Sequence, residues 1–128
     1  DMPARALSLL SAHIGDLNGR RILVSGLSYR TGVKEKAFSG AEELSRVLID
    51  QGASSALVDE MFTQSEISNF GFKVPDGSPF DALVINSGSR DFQLSLLSTL
   101  REEAFVLDGR SVLSSSDWPQ VIQLGEGR

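Results

Sequence analysis

The stretch RILVSGLSYRTGVKEK, residues 21–36, joins an apolar run to a glycine-bearing basic loop. Five of the chain's twelve Lys and Arg residues fall between positions 20 and 36: Arg20, Arg21, Arg30, Lys34 and Lys36. With Glu35 as the only acid there, this stretch carries +4, whereas the rest of the chain carries −9. A positive cluster on an acidic chain draws anions to one place, and the arginine fork matches phosphate oxygens. The other reading of the same residues is a solvated surface loop, and charge alone does not separate the two.

Several other chemistries are excluded by composition. There is no cysteine, so disulfides, thiolate metal sites and cysteine nucleophiles are absent. A single histidine, His13, makes a zinc site a poor reading and stands without a metal or nucleophile partner, as a structural or exposed residue does. The acidic balance argues against nucleic acid as a partner. No apolar run approaches the roughly 20 residues that span a bilayer. Residues 1–14 are broken by Arg5, Ser8, Ser11 and His13, unlike a signal peptide. The expectation is a cytoplasmic protein with no membrane partner.

The elements that must position the basic loop alternate along the chain. Residues 1–18 read as a helix, with Leu7, Leu10, Ile14 and Leu17 on one stripe. Residues 21–28 form a strand centred on Ile22, Leu23 and Val24. Ser39 and Glu42 make a capping box for a helix that Gly52 stops. Strands follow at 55–60, 81–88 and 104–109, with an edge strand over 121–127. A short helix is expected at 63–69, and Phe92, Leu96, Leu97 and Leu100 stripe a further one. This alternation predicts an α/β fold: a three-layer, Rossmann-like open parallel sheet with helices on both faces.

In such sheets ligands sit beyond the carboxyl ends of the strands, where strand order reverses. With order 2-1-3-4 that rule gathers SYRTG, NSGSRD and DGRS at one edge. A dinucleotide would want G-x-G-x-x-G after the first strand, but the glycines are Gly26, Gly32 and Gly40. Asp59, at the end of the second strand, then reads as a strand-end or cap carboxylate. Tyr29-Arg30 and Asn86-Ser87 replace the acids of a phosphoacceptor receiver domain. GLSYR lacks the second glycine of a hydrolase elbow.

LNGRRILVSGLSYRTGVKEKAFSGAEELSRVLIDQGA resembles the start of the C-terminal domain of the UDP-glucose/GDP-mannose dehydrogenase family. That family's pattern runs approximately L-x-G-K-K-(apolar)-G-L-A-Y-K-P-x-x-D-D-x-R-x-S-P-A. ALVINS, FVLDGRSVL and VIQLGEGR continue the likeness, and MPARALSLL resembles the end of the helix that enters this domain. The resemblance covers essentially the whole chain. It implies that residues 1–18 link to an upstream central domain and that residues 19–128 are the substrate-nucleotide domain. The parent would be an NAD-dependent nucleotide-sugar 6-dehydrogenase that oxidises the sugar C6 hydroxyl to a carboxylate. Its NAD and its catalytic cysteine belong to the upstream domains, so this chain alone would bind a UDP- or GDP-linked sugar without catalysing. A homo-oligomer is expected for that parent.

Carried over by position, Arg30 stands on the lysine of Y-K, and Arg110 on the arginine of D-G-R, which reaches the nucleotide end of the substrate. Tyr29 and Asp108 match. Lys34 and Glu35 replace an acidic pair, and Ala37 replaces an arginine for which Lys34 or Lys36 would compensate. Gly40 replaces a proline, Ser89 a His or Trp, and Ser111 an asparagine. The implied substrate-binding set is Tyr29, Arg30, Lys34, Lys36 and Arg110, with no catalytic, cofactor or metal residue. The alternative is a degenerate Rossmann-like scaffold or subunit-contact domain without a ligand.

Overall fold

The computed structural model describes residues 2–27 and 39–123. Five strands form one sheet: β1 (Arg21–Ser25), β2 (Ser54–Val58), β3 (Phe80–Ile85), β4 (Leu100–Asp108) and β5 (Val121–Gln123), in the order β2-β1-β3-β4-β5. Every pairing is parallel. The expected order holds, and the reversal falls between β1 and β3.

Parallel strands need crossovers, and these put helices on both faces. α1 (Met2–Ile14) and α2 (Ser39–Asp50) cover one face, where Ala6, Leu10, Leu44 and Leu48 pack on Ile22, Val24 and Leu57. Ile67 of α3 (Gln64–Asn69) joins the same cluster. On the other face Leu96 of α4 (Arg90–Leu96) packs with Leu23, Leu83 and Val106, flanked by Trp118. β1 and β3 are buried almost throughout, as double coverage requires.

Several boundaries differ from the sequence expectation: β2 ends at Val58 rather than residue 60, β3 ends at Ile85 rather than residue 88, and three others have a local cause. α1 stops at Ile14 and the chain turns at Gly15 (φ 89°), so buried Leu17 lies beyond the helix. The stripe from Phe92 to Leu100 is not one helix. α4 ends at Leu96, a 3₁₀ turn covers Leu97–Thr99, and Leu100 begins β4 opposite Phe80. Ser95 and Thr99 hydroxyls donate to the carbonyls of Phe92 and Leu96 (2.5 and 2.6 Å), an interaction that competes with continued helix. β1 ends at Ser25 rather than residue 28, because Gly26 leaves the extended region at φ 108°.

The capping box read at Ser39 involves a side chain outside the described residues. α3 carries one instead: Thr63 Oγ1 accepts from Glu66 N, and Glu66 Oε1 accepts from Thr63 N. Among the described residues no helix is long and apolar enough to cross a membrane.

Candidate functional site

Of the five basic residues grouped by sequence, Arg20 and Arg21 lie within the described residues. Arg20 and Arg21 stand at the amino end of β1, and the loop with Arg30, Lys34 and Lys36 leaves its carboxyl end. At roughly 3.3 Å per residue the strand puts about 13 Å between Arg21 and Ser25. Tyr29, Arg30, Lys34, Lys36 and Ala37 lie outside the described residues. Arg110 is described, and it does stand at the carboxyl edge.

That edge is built from backbone bonds that cross between strand ends. Gly26 N donates to Val58 O (2.8 Å), and Leu27 N donates to Asp59 Oδ2 (2.7 Å). Asp59 Oδ1 also takes Met61 N (2.7 Å), so the carboxylate closes its own turn while holding the exit of β1. This is the strand-end role expected for Asp59. On the other side, Asn86 N donates to Ser25 O (2.8 Å), and Asn86 Nδ2 donates to Gly26 O (3.1 Å). Gly26 sits so close to the β3 loop that a Cβ there would meet Ser87 N at 2.6 Å. The crevice between β1 and β3 is thus bridged at its floor, and an anion bound at this edge would lie above it.

The turn after β4 is organised by Asp108, which is fully buried. Its Oδ1 accepts from Arg110 N (2.9 Å) and its Oδ2 from Leu113 N (2.8 Å). Ser111, in the left-handed region at φ 57°, lies within this turn. The matched D-G-R segment therefore works as a carboxylate that folds its own loop and presents the arginine after it. Arg110 is exposed, and its Nε donates to Asn86 O (2.9 Å), tying the β4 turn to the β3 loop.

Ser89, at the family's His or Trp position, is the N-cap of α4: its Oγ accepts from Phe92 N (3.2 Å). Glu60, which follows β2, accepts from both Ser89 N and Ser89 Oγ at 2.8 Å. Its carboxylate occupies the start of that short helix. Next to it Arg90 forms a two-pronged pair with Asp117, both bonds 2.7 Å, and also donates to Val112 O (3.1 Å). Asp117 is held well below the usual carboxylate range, first by those arginine bonds and then by Ser114 N. Sequence spacing missed Glu60, Asn86 and Arg90, whose partners lie 29, 60 and 27 residues away.

Among the described residues no group of His, Asp or Glu could hold a metal ion. The polar groups at the edge fix loops, and the guanidinium of Arg110 is the charged group they present.

No protein-family model matches the sequence, and no curated protein matches it. The fold does have counterparts among solved structures. The chain is similar to a UDP-glucose dehydrogenase from the hyperthermophilic archaeon Pyrobaculum islandicum (TM-score 0.68, 24% identity, 95% of this chain and 28% of that one). It is similar to a UDP-D-ManNAc dehydrogenase from Pyrococcus horikoshii (TM-score 0.68, 18% identity, 98% and 31%). It is also similar to a GDP-mannose dehydrogenase from Pseudomonas aeruginosa (TM-score 0.66, 19% identity, 95% and 31%). The chain spans about three-tenths of the length of these enzymes. At such identities the likeness is one of fold, the Rossmann-like α/β fold expected from the alternation of elements.

Proposed function

We propose that this chain is the C-terminal domain of a nucleotide-sugar 6-dehydrogenase of the UDP-glucose/GDP-mannose dehydrogenase family, and that it binds the nucleotide of the substrate. The observation that carries this reading is the fold match: three nucleotide-sugar dehydrogenases of different substrates align with nearly all of this chain and with less than a third of their own. The motifs DGR and GLSYR, and the placement of Arg110 at the carboxyl edge, support it.

In this reading Arg110 meets the diphosphate from the β4 turn. Arg30, with Lys34 or Lys36, meets it from the loop after β1, and Tyr29 lies beside them. Asp108 and Asn86 are positioning residues, one folding the turn and the other anchoring the Arg110 Nε. NAD and the catalytic cysteine are supplied by other domains of the parent, which works as a homo-oligomer in the cytoplasm. This chain mixed with NAD and UDP-glucose gives no NADH.

Calorimetric titration with UDP and GDP tests the reading. The affinity is weak and falls with added salt, because exposed charges are screened over about 8–10 Å. Arg110→Ala weakens it. Arg46→Ala, on the outer face of α2 and paired among the described residues with Glu43 and Asp50, does not. The ligand-free scaffold is the second reading, favoured by Glu60 filling the start of α4 and by the bridged floor of the crevice. It replaces the first if neither nucleotide binds, or if Arg110→Ala changes nothing.

A further inference from the structure

The amino end of the sheet carries a second concentration of charge, beside a cavity. β4 is the longest strand, and its pairing with β3 jumps from Phe80↔Leu100 to Ala82↔Phe105. An advance of two residues on β3 thus matches an advance of five on β4, so Arg101, Glu102 and Glu103 bulge opposite Asp81. Bulges re-aim side chains and collect beside binding sites.

The re-aimed group is Arg101, whose Nε forms an ion pair with Asp81 Oδ1 at 2.9 Å. Asp81 Oδ2 accepts from Arg21 N at 2.8 Å. Arg20 Nη1 stands 3.9 Å from the same Oδ1, beyond hydrogen-bond reach. Two guanidinium groups, each nearly half exposed, therefore converge on one carboxylate that is 12% exposed. The surplus is one positive charge, and the terminal nitrogens of Arg101 have no partner among the described residues.

The adjoining cavity, open to solvent on one side, has a volume of about 310 Å³ and reaches from these arginines to Glu103, Phe105, His13 and Gln120. That is the lower end of the roughly 300–1,000 Å³ typical of small-molecule pockets. One wall is aromatic: the His13 and Phe105 rings lie 5.1 Å apart. His13 Nδ1 donates to Leu9 O (2.9 Å), since a carbonyl only accepts, and this fixes the ring against that wall. A second wall holds acceptors without donors. Gln120 Oε1 is buried with no partner, and Glu103 forms no ion pair among the described residues. A buried acceptor left unpaired is costly unless a ligand or water answers it.

We propose that this cavity binds a free α-amino acid. Its carboxylate pairs with Arg20 and Arg101, its ammonium faces Glu103 and Gln120, and its side chain lies against Phe105 and Ile14. A plain anion would leave the buried Gln120 Oε1 unanswered and face the exposed Glu103 carboxylate, and a plain cation would meet the arginine surplus. A ligand bearing both charges on a small apolar body satisfies both walls at once. The site lies at the opposite end of the strands from Arg110 and does not depend on nucleotide binding there.

The test is a series of ¹H–¹⁵N NMR titrations of this chain with L-phenylalanine, L-leucine, 3-phenylpropionate and phenethylamine. Saturable shifts are expected at residues 13–15 and 101–105 with an amino acid. The two single-charge probes bind about tenfold more weakly or worse, the size of one lost charge-assisted contact. Glu103→Gln weakens amino-acid binding by a similar factor while leaving the melting temperature unchanged, because its side chain holds no structural pair. Arg20→Gln does the same from the other wall. Equal binding of 3-phenylpropionate overturns the proposal, as do an unaffected Glu103→Gln variant and the absence of shifts with either amino acid.

Discussion

At the carboxyl end of the strands, Asp59, Asn86 and Asp108 each direct side-chain atoms onto backbone groups of the loops there. At the amino end, Asp81 directs its carboxylate onto one backbone amide and towards two guanidinium groups. The difference lies in the partners. A backbone group has a fixed position, so the bonds around Gly26 and Asp108 set the shape of the chain itself. A guanidinium on a flexible stem can move to a better partner, so the charges around Asp81 can regroup when a ligand enters. One end is a rigid frame that presents a few side chains. The other is a set of charges whose mutual pairing is incomplete.

Gly26→Ala breaks the frame hardest. It combines a positive φ with a Cβ driven into the β3 loop backbone, and the expected cost is about 3 kcal/mol or more in urea unfolding. A cost below about 1 kcal/mol would mean that the two loops move apart freely and are not a frame. Asp108→Ala comes next, at about 2–3 kcal/mol, because it strips the buried Leu113 amide and the Arg110 amide of their acceptor. Asp108→Asn keeps one acceptor oxygen and recovers part of that loss. An Asp108→Ala variant as stable as the parent would leave the β4 turn without an organiser.

The amino end is expected to yield less. Asp81→Ala removes one backbone bond and a partly exposed ion pair, for about 1 kcal/mol. Arg20→Gln removes a contact longer than a hydrogen bond and changes stability by less than about 0.5 kcal/mol. If Asp81→Ala proved as damaging as Asp108→Ala, the contrast between the two ends would fail.

The sheet was legible because strand and helix periods alternate, and because buried parallel strands read as continuous apolar runs such as ILV and ALVI. Order followed from that alternation, and so did the edge at which the loops gather. Charge counted along the sequence pools residues from before and after a strand. A five-residue strand separates Arg20 and Arg21 from the loop after it. Arg21 is in fact tied to Asp76 (2.9 Å) and lies over the Phe80 ring at 4.9 Å. The Leu97 and Leu100 error has a similar source: an apolar residue serves a helix stripe and a strand equally well, and hydroxyl bonds from Ser95 and Thr99 mark the change. Of the five expected binding residues, only Arg110 lies within the described part, where it joins the β3 loop through Asn86. Pairings such as Asn86 with Gly26 or Glu60 with Ser89 leave no spacing signal, since they form only when three strand ends meet.

The pair of Arg90 and Asp117 sharpens the comparison with the smallest effect. It sits near the carboxyl end, yet it is a side-chain pair like those at the amino end, with Arg90 half exposed. The arginine bonds and Ser114 N keep the Asp117 carboxyl well below its ordinary value, so the folded chain holds the ionised form where the unfolded chain takes up a proton. The stabilisation is therefore complete above the unfolded carboxylate's titration, near pH 4, and is lost progressively as pH falls below it. Solvent at the exposed arginine screens the interaction and keeps it small. The check is the gap in urea midpoint between the parent chain and Asp117→Asn, followed from about pH 7 to about pH 2. The gap stays constant down to about pH 5 and then closes. A gap at Asp117 that ignores pH would place this pair with the rigid frame, held by geometry rather than by charge.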